Sequence, residues 1–522
     1  AVMRSWRPSD VASCAIAIAM GVAVMVATRA DPRLSPDSIT YLSLAEHLRH
    51  GGDFVDFTRE PFAVFPPIYP LLLAPFGASL TWARVVGALS VIGCCLLLHL
   101  LLRGRVRPWV GVGAVLAFGA NAGMLRTASF TWSEATFTAV SLLFLVSLRR
   151  ASRTWRWAAL SGALAGLGFL TRYAGIGLLV VAPVALLACW WRRPLPRWQR
   201  VVPAVAAGSS AAVVAGAWLV RNLVVTGELL GPRLAGGSNE RWHVMLWRPF
   251  ESIGTDLVDG GRYLDRTVGV IAMAVFAAGV VAMWRQRRLA LDDAAATAGV
   301  DLAVALAGVL SVVVPLAGRA TTANDITGRV MAPILPLVAY AAAVLVDTIV
   351  GRTRRPESGR IVRATGRSVV VAACVGLVWS SWGAIGVARD LPGTGSSGDR
   401  AYYSPMLYDV IDALPAKTAV LTNNPWGVWW QNRREPTLFA FVAPRAGNSH
   451  SPISGDRLRE LVCAGPVALA WFTTFMNSEA ESPAELRPDL LDVAAVNRSR
   501  SVLGGELYEV TPAQADTCAV SG

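Results

Sequence analysis

The chain has 522 residues, 54% of them hydrophobic and only 16% charged, with a formal net charge of +13. Soluble domains are about 45–50% apolar and about 25% charged, so this composition excludes a conventional cytosolic enzyme as well as disordered, collagenous and disulfide-scaffold chains. The positive charge raises nucleic acid as a partner, but its distribution argues against one: residues 1–389 hold 38 basic and 20 acidic residues, and residues 390–522 hold 10 and 15.

A membrane-crossing helix needs about 20 mainly apolar residues. Eleven stretches approach this, near 11–28, 82–102, 109–125, 134–148, 158–170, 174–189, 201–219, 268–284, 299–317, 330–350 and 368–388. With Arg4 and Arg7 in the cytoplasm, the alternate loops carry Arg103/Arg105/Arg107, Arg149/Arg150/Arg153/Arg156, Arg192/Arg193/Arg197/Arg200, Arg285/Arg287/Arg288 and Arg352/Arg354/Arg355/Arg360/Arg363/Arg367. That puts 22 of the 38 basic residues on the cytoplasmic side in short loops, as the positive-inside rule requires. Three long pieces then lie outside: residues 29–81, 220–267 and 389–522. The fold class expected is a polytopic α-helical membrane protein of about eleven transmembrane helices (1–388) with a C-terminal extracytoplasmic α/β domain (389–522). No internal repeat is visible.

The first outer loop opens with Ser35, a good N-cap, Pro36 at the first helical position and Asp37 in the first turn. Tyr41, Leu44, Ala45 and Leu48 fall on one face, which predicts an amphipathic helix lying at the membrane interface and ended by Gly51-Gly52. The run from Pro61 to Pro75 follows, with Phe65 before Pro66-Pro67 and Tyr69-Pro70-Leu71-Leu72 after it. Further on come Ser133-Glu134, Thr171-Arg172-Tyr173, Trp218-Leu219-Val220-Arg221-Asn222 and Gly328-Arg329-Val330-Met331-Ala332-Pro333.

In the tail, Gly393 to Gly398 reads as a linker. Tyr403–Leu414 has helical periodicity; Ala419–Thr422, Pro466–Phe472 and Ser501–Val510 read as strands; and Asn423-Asn424-Pro425 reads as a turn. Of seven cysteines, Cys14, Cys94, Cys95, Cys189 and Cys374 sit in apolar stretches. Cys463 and Cys518 lie in the outer tail, where disulfides persist, and are expected to pair. The five His are scattered, no Cys/His cluster has zinc-site spacing, and no Asp-x-Asp pair occurs in the first outer loop, so no metal site and no cofactor are expected. Asp325 leaves a divalent cation open.

The ordered set of motifs over residues 1–350 resembles the GT-C superfamily of membrane glycosyltransferases, nearest the branch of aminoarabinose transferases and protein O-mannosyltransferases. The resemblance implies a polyprenyl-phosphate sugar donor, a lipid, cell-envelope glycan or protein acceptor, and a site on the outer face of a bacterial plasma membrane. It implies Asp37 as the base that takes the acceptor proton, an inverting reaction, and Glu134 with Tyr41 beside the acceptor. Arg172, Arg221 and Arg329 are the candidates for the donor phosphate, with Arg126 and Arg59 behind them, since Arg is the natural partner of a phosphate oxyanion. The aminoarabinose transferases have Lys where this chain has Phe65, which removes one cation from the first loop. Trp426 and Trp429 are candidates for stacking on sugar rings, against the alternative that they belong to a domain core. A transporter or lipid-linked-sugar flippase is the alternative function, with Asp301 as its one buried-charge candidate; a non-enzymatic scaffold is the third.

Overall fold

The computed structural model describes residues 6–29, 32–191, 193–232, 241–258, 260–286, 294–321, 326–353, 376, 405–439, 452–475, 478–479, 482–514 and 517–518. The predicted eleventh span, the loop from Arg354 onward, the Gly393–Gly398 linker with the 388/389 boundary, Cys374 and Asp325 lie outside the described residues.

The other ten apolar stretches are all helical. They correspond to α1 (Pro8–Ala27), α4 (Leu80–Leu102), the consecutive α5 (Pro108–Gly119) and α6 (Ala122–Ser129), α7 (Glu134–Ala151), α8 (Trp155–Thr171), α9 (Ile176–Trp191), α10 (Arg197–Thr226), α12 (Arg262–Gln286), α13 (Ala294–Thr321), and α14 (Gly328–Met331) running into α15 (Leu335–Thr353). Among the described residues seven spans are long and apolar enough to cross a membrane alone, and α5 with α6, bent by 50°, would make an eighth if the pair is one span. By that measure α7 and α8 fall short: α7 carries Glu134, Arg149 and Arg150, and α8 has only 17 residues. Local chemistry sets several boundaries. Ser79, Asn121 and Thr154 cap α4, α6 and α8 through their side-chain oxygens, and Gly227 closes α10 in the left-handed region. Helices α8 and α10 cross closely because a Cβ on Gly162 would stand 2.0 Å from the Ala207 carbonyl oxygen.

At one end of the bundle, buried charges tie the helices together. Asp10 accepts from His99 and Arg103 at 2.9 Å each. Asp301 accepts from Arg105 at 3.1 Å and Tyr340 at 3.0 Å, and Arg107 pairs with Asp347 at 3.1 Å. Arg149 donates to carbonyls at the C-terminal end of α4. Asp301 thus ties α13 to α15 and to the turn after α4.

The predicted first outer loop holds α2 (Pro36–Arg49) and α3 (Ile68–Leu73). Ser35 caps α2 in a reciprocal box with Ser38. The interfacial amphipathic helix expected here is instead buried on every side over residues 38–45, because the outer domain covers the face that sequence periodicity left to solvent. The second outer stretch, read as loop, contains α11 (Trp242–Leu257), which packs on α6 and α12.

The predicted outer domain carries α16 (Pro405–Asp412), β1 (Ala419–Thr422), α17 (Pro425–Asn432), β2 (Pro436–Leu438), α18 (Gly455–Ala464), β3 (Val467–Phe472), a short hairpin of β4 (Thr474–Phe475) and β5 (Ser478–Glu479), then β6 (Ala494–Val502) and β7 (Gly505–Pro512). The main sheet runs β2-β1-β3-β7-β6, with β1 parallel to β2 and β3, and β7 antiparallel to β3 and β6. The single last strand expected over Ser501–Val510 is two strands, turned back at Gly504 with φ 77°. Cys463 and Cys518 are bonded, tying α18 to the chain end.

Candidate active site

The segment after α1 pairs with the segment before α7. Arg33 N donates to the Ser129 carbonyl and Thr131 N to the Arg33 carbonyl, both at 3.2 Å. This bridge brings the start of α2 against the start of α7. Trp132 Nε1 then donates to Ser35 Oγ at 2.7 Å, so the residue that caps α2 is held by the residue two before Glu134.

Five of the residues singled out in the sequence meet here. Arg329 Nη1 lies 2.7 Å from Asp37 Oδ2, and its Nε lies 3.8 Å from Glu134 Oε1. Arg172 Nη1 is 2.6 Å from the same Glu134 oxygen and donates to Ser133 Oγ at 3.4 Å. Tyr41 Oη shares a hydrogen bond of 3.3 Å with Ser133 Oγ. The Tyr41 phenol titrates well above its usual range, first because it is buried and then because Asp37 and Glu134 are near, so it stays a neutral hydroxyl. Glu134 is 1% exposed, whereas the Asp37 and Arg329 side chains are partly open. The cluster therefore opens at the Asp37–Arg329 edge and is anchored at Glu134. Both carboxylates sit in the first turn of a helix, where the positive end of the dipole favours them.

Sequence reasoning missed two supports of this cluster. The Arg329 guanidinium lies over the Trp132 ring, 4.6 Å from its centre; the signal was its place in Thr131-Trp132-Ser133-Glu134. Asp256, on the unexpected α11, is buried against Gly328, where a Cβ would meet its Oδ1 at 2.4 Å. Ser252 on the same helix donates to the Ile326 carbonyl at 3.0 Å. Together they fix the strand of backbone that presents Arg329.

Other candidates lie elsewhere. Arg221 donates to the carbonyls of Phe62 at 2.5 Å and Phe54 at 3.2 Å and stacks on Trp218 at 4.7 Å, so it grips the first outer loop. Arg59 pairs with Glu435 of the outer domain. Phe65 packs on the Tyr41 ring at 5.0 Å. Trp426 and Trp429 are 3% and 8% exposed and flank Phe57 at 6.3 and 6.2 Å. They form an interface with the first loop, as in the packed-core alternative. Among the described residues no group of three or more His, Cys, Asp or Glu is placed to hold a metal ion.

One turn below the cluster a small, mainly apolar cavity of about 40 Å³ opens between α7, α9, α13 and α14/α15. Its walls include Phe137, Thr138, Ala174, Leu310, Val330 and Pro333, each within a few residues of Glu134, Arg172 or Arg329 or facing them from α13.

No protein-family model matches the chain, and no curated protein matches it in sequence. Its fold is similar to that of ArnT from Cupriavidus metallidurans bound to undecaprenyl phosphate, with a TM-score of 0.57 and 15% identity over 96% of this chain and 98% of that one. The apo state of that protein gives a TM-score of 0.57 at 14% identity, over 94% and 96%. The oligosaccharyltransferase AglB from Archaeoglobus fulgidus, in complex with an inhibitory peptide and a dolichol-phosphate, gives 0.52 at 10% identity, over 95% of this chain and 74% of that one. The chain thus shares its fold with ArnT and with AglB.

Proposed function

We propose that the chain is an inverting glycosyltransferase that moves a hexosyl or pentosyl group from a polyprenyl-phosphate donor to a hydroxyl of a lipid, cell-envelope glycan or protein. The site faces the outside of a bacterial plasma membrane, with the N-terminus cytoplasmic and the C-terminal domain extracytoplasmic. One observation carries the reading: Arg329 stands between Asp37 and Glu134, beside Arg172, above an apolar cavity. Two guanidiniums beside a greasy cleft suit a phosphate that carries a hydrocarbon tail. Orientation is supported by α4 and α7, which run from the cluster to the Arg-rich end of the bundle. The 23 residues of α4 rise about 34 Å, enough to cross the hydrocarbon layer.

In the reaction, the acceptor hydroxyl attacks the anomeric carbon while Asp37 takes its proton. The bond from that carbon to the phosphate oxygen breaks, and polyprenyl phosphate leaves with the bonding electrons. A single displacement inverts the anomeric centre, as in inverting glycosidases. Arg329 and Arg172 balance the charge that grows on the leaving phosphate. Glu134 holds both guanidiniums toward it. Tyr41, neutral and bonded to Ser133, sets the floor beside Asp37.

The test gives purified protein labelled polyprenyl-phosphate hexoses and pentoses with membrane-extract acceptors, wild type beside Asp37→Ala and Asp37→Asn. Release of polyprenyl phosphate by wild type, lost in both variants, is the expected result. Transfer by both variants at the wild-type rate would overturn the base assignment. A wild type that binds donor yet never releases polyprenyl phosphate would overturn the enzyme reading.

A further inference from the structure

The outer domain reaches the start of α2 through a polar contact set in an apolar interface. Trp426 Nε1 donates to Thr40 Oγ1 at 3.3 Å. The same hydroxyl donates to the Pro36 carbonyl at 3.1 Å, one turn back and next to Asp37. Thr40 is buried, as is Trp426, so neither group has water as a substitute partner. The Trp426 end is rigid. Asn423, just before it, accepts from Phe472 N at 2.9 Å and donates to the Phe472 carbonyl at 2.8 Å, locking the end of β1 to β3. Asn424 caps α17 by accepting from Gly427 N at 3.1 Å. The sheet, α17, Thr40 and the first turn of α2 are thus one connected body.

We propose that Trp426, through Thr40, is a positioning residue for Asp37: the outer domain sets the angle and height of the α2 N-terminus, and so the place from which the base meets the acceptor. The proposal rests on the glycosyltransferase reading for its kinetic consequence, but its structural consequence stands apart from it. The reason for a polar relay here is directional. An apolar contact would bury area without fixing rotation, whereas an indole N–H aimed at a hydroxyl that is itself aimed at a carbonyl fixes the helix about its axis. A displacement of the base by about 1 Å can cost on the order of 100-fold in rate.

The experiment compares full-length wild type, Trp426→Phe, Thr40→Val and Thr40→Ser. Two readouts are taken: hydrogen exchange of the amides of residues 39–42, and kcat and KM for transfer with the binding of polyprenyl phosphate measured separately. Trp426→Phe and Thr40→Val should speed exchange in that turn by about ten-fold and lower kcat by about 10-fold to 100-fold. Donor binding should stay within about three-fold, since Arg172 and Arg329 are untouched. Thr40→Ser, which keeps the hydroxyl, should restore both readouts. Unchanged exchange in both disrupting variants overturns the relay, whether or not any donor is turned over. Donor binding and thermal stability falling in step with kcat also overturn it, by showing a general loss of structure. If Thr40→Ser behaves like Thr40→Val, the hydroxyl is not the link. A wild type without transferase activity fails the functional reading alone, and the exchange data still decide the relay.

Discussion

Arg329 Nη1 stands 2.7 Å from Asp37 Oδ2, so the carboxylate assigned as base is neutralised before any substrate arrives. A donor phosphate that draws Arg329 away would free Asp37, which couples base strength to donor occupancy. Asp37→Asn separates this role from helix capping. A capping or dipole role is worth about 0.3–1 kcal/mol and would show only in stability. The base role predicts a fall in transfer of about 100-fold to 10,000-fold, with polyprenyl-phosphate affinity equal to or tighter than wild type because Arg329 is released. Equilibrium binding beside single-turnover transfer checks both signs.

Arg329→Ala should behave in the opposite way. It removes a charge-assisted donor to the phosphate and leaves Asp37 unpaired, so polyprenyl-phosphate binding should weaken and turnover drop by about 100-fold to 1,000-fold. Arg329→Lys keeps the charge but loses the planar fork and the stacking on Trp132, and should recover only part of the affinity. Titration with polyprenyl phosphate lacking sugar measures this without turnover.

Glu134 is buried between Arg172 and Arg329. Glu134→Gln keeps its size and removes its charge, leaving two guanidiniums without their shared anion. Breaking a buried pair from one side costs about 3–5 kcal/mol. The expected outcome is a lower melting temperature together with lost activity, and addition of polyprenyl phosphate should raise the melting temperature of this variant more than that of wild type. Asp37→Asn should show no such loss of stability.

Much of this site was legible along the chain. Ser35-Pro36-Asp37 announced a helix start, and the charged residues at the outer ends of apolar runs named Glu134, Arg172 and Arg329. What the sequence hid was long-range. The bridge between Arg33 and Phe130 and the indole of Trp132 on Ser35 are contacts between segments about 97 residues apart, and no periodicity reports them. Helix α11 was missed because Arg248, Pro249, Glu251 and Asp256 interrupt its apolar pattern, although its buried face supports Arg329. The cover of Trp426 and Trp429, Phe57, lies in the first loop, a long-range contact that no local pattern reports. The last strand was read as one because Leu503-Gly504 is a two-residue turn inside a continuous β-forming run.

The Cys463–Cys518 bond closes a loop with a sequence separation of 55. Loop-closure entropy for that length is worth about 4 kcal/mol. Cys463→Ser with Cys518→Ser should therefore destabilise the outer domain and raise proteolysis there while the membrane helices stay protected. Limited proteolysis with and without reductant, read by intact mass, checks the location of the effect.

Arg221 supplies the last discrimination, between binding a phosphate and shaping a loop. Its guanidinium is engaged by the carbonyls of Phe54 and Phe62 and by the ring of Trp218, and its neighbour Asn222 donates to Tyr173 Oη at 3.1 Å. These contacts hold the far side of the first outer loop, away from the Asp37–Arg329 pair. Removing them leaves two carbonyls without a charged donor, each hydrogen bond being worth about 1.5–3 kcal/mol. Arg221→Ala should lower stability and raise the exchange of residues 54–62, while polyprenyl-phosphate affinity stays within about three-fold of wild type because the two sites share no partner. Arg221→Lys should restore little, since one ammonium cannot span both carbonyls and lie flat on the indole. A loss of donor affinity equal to that of Arg329→Ala would instead make Arg221 a direct phosphate ligand and require the loop to open around it.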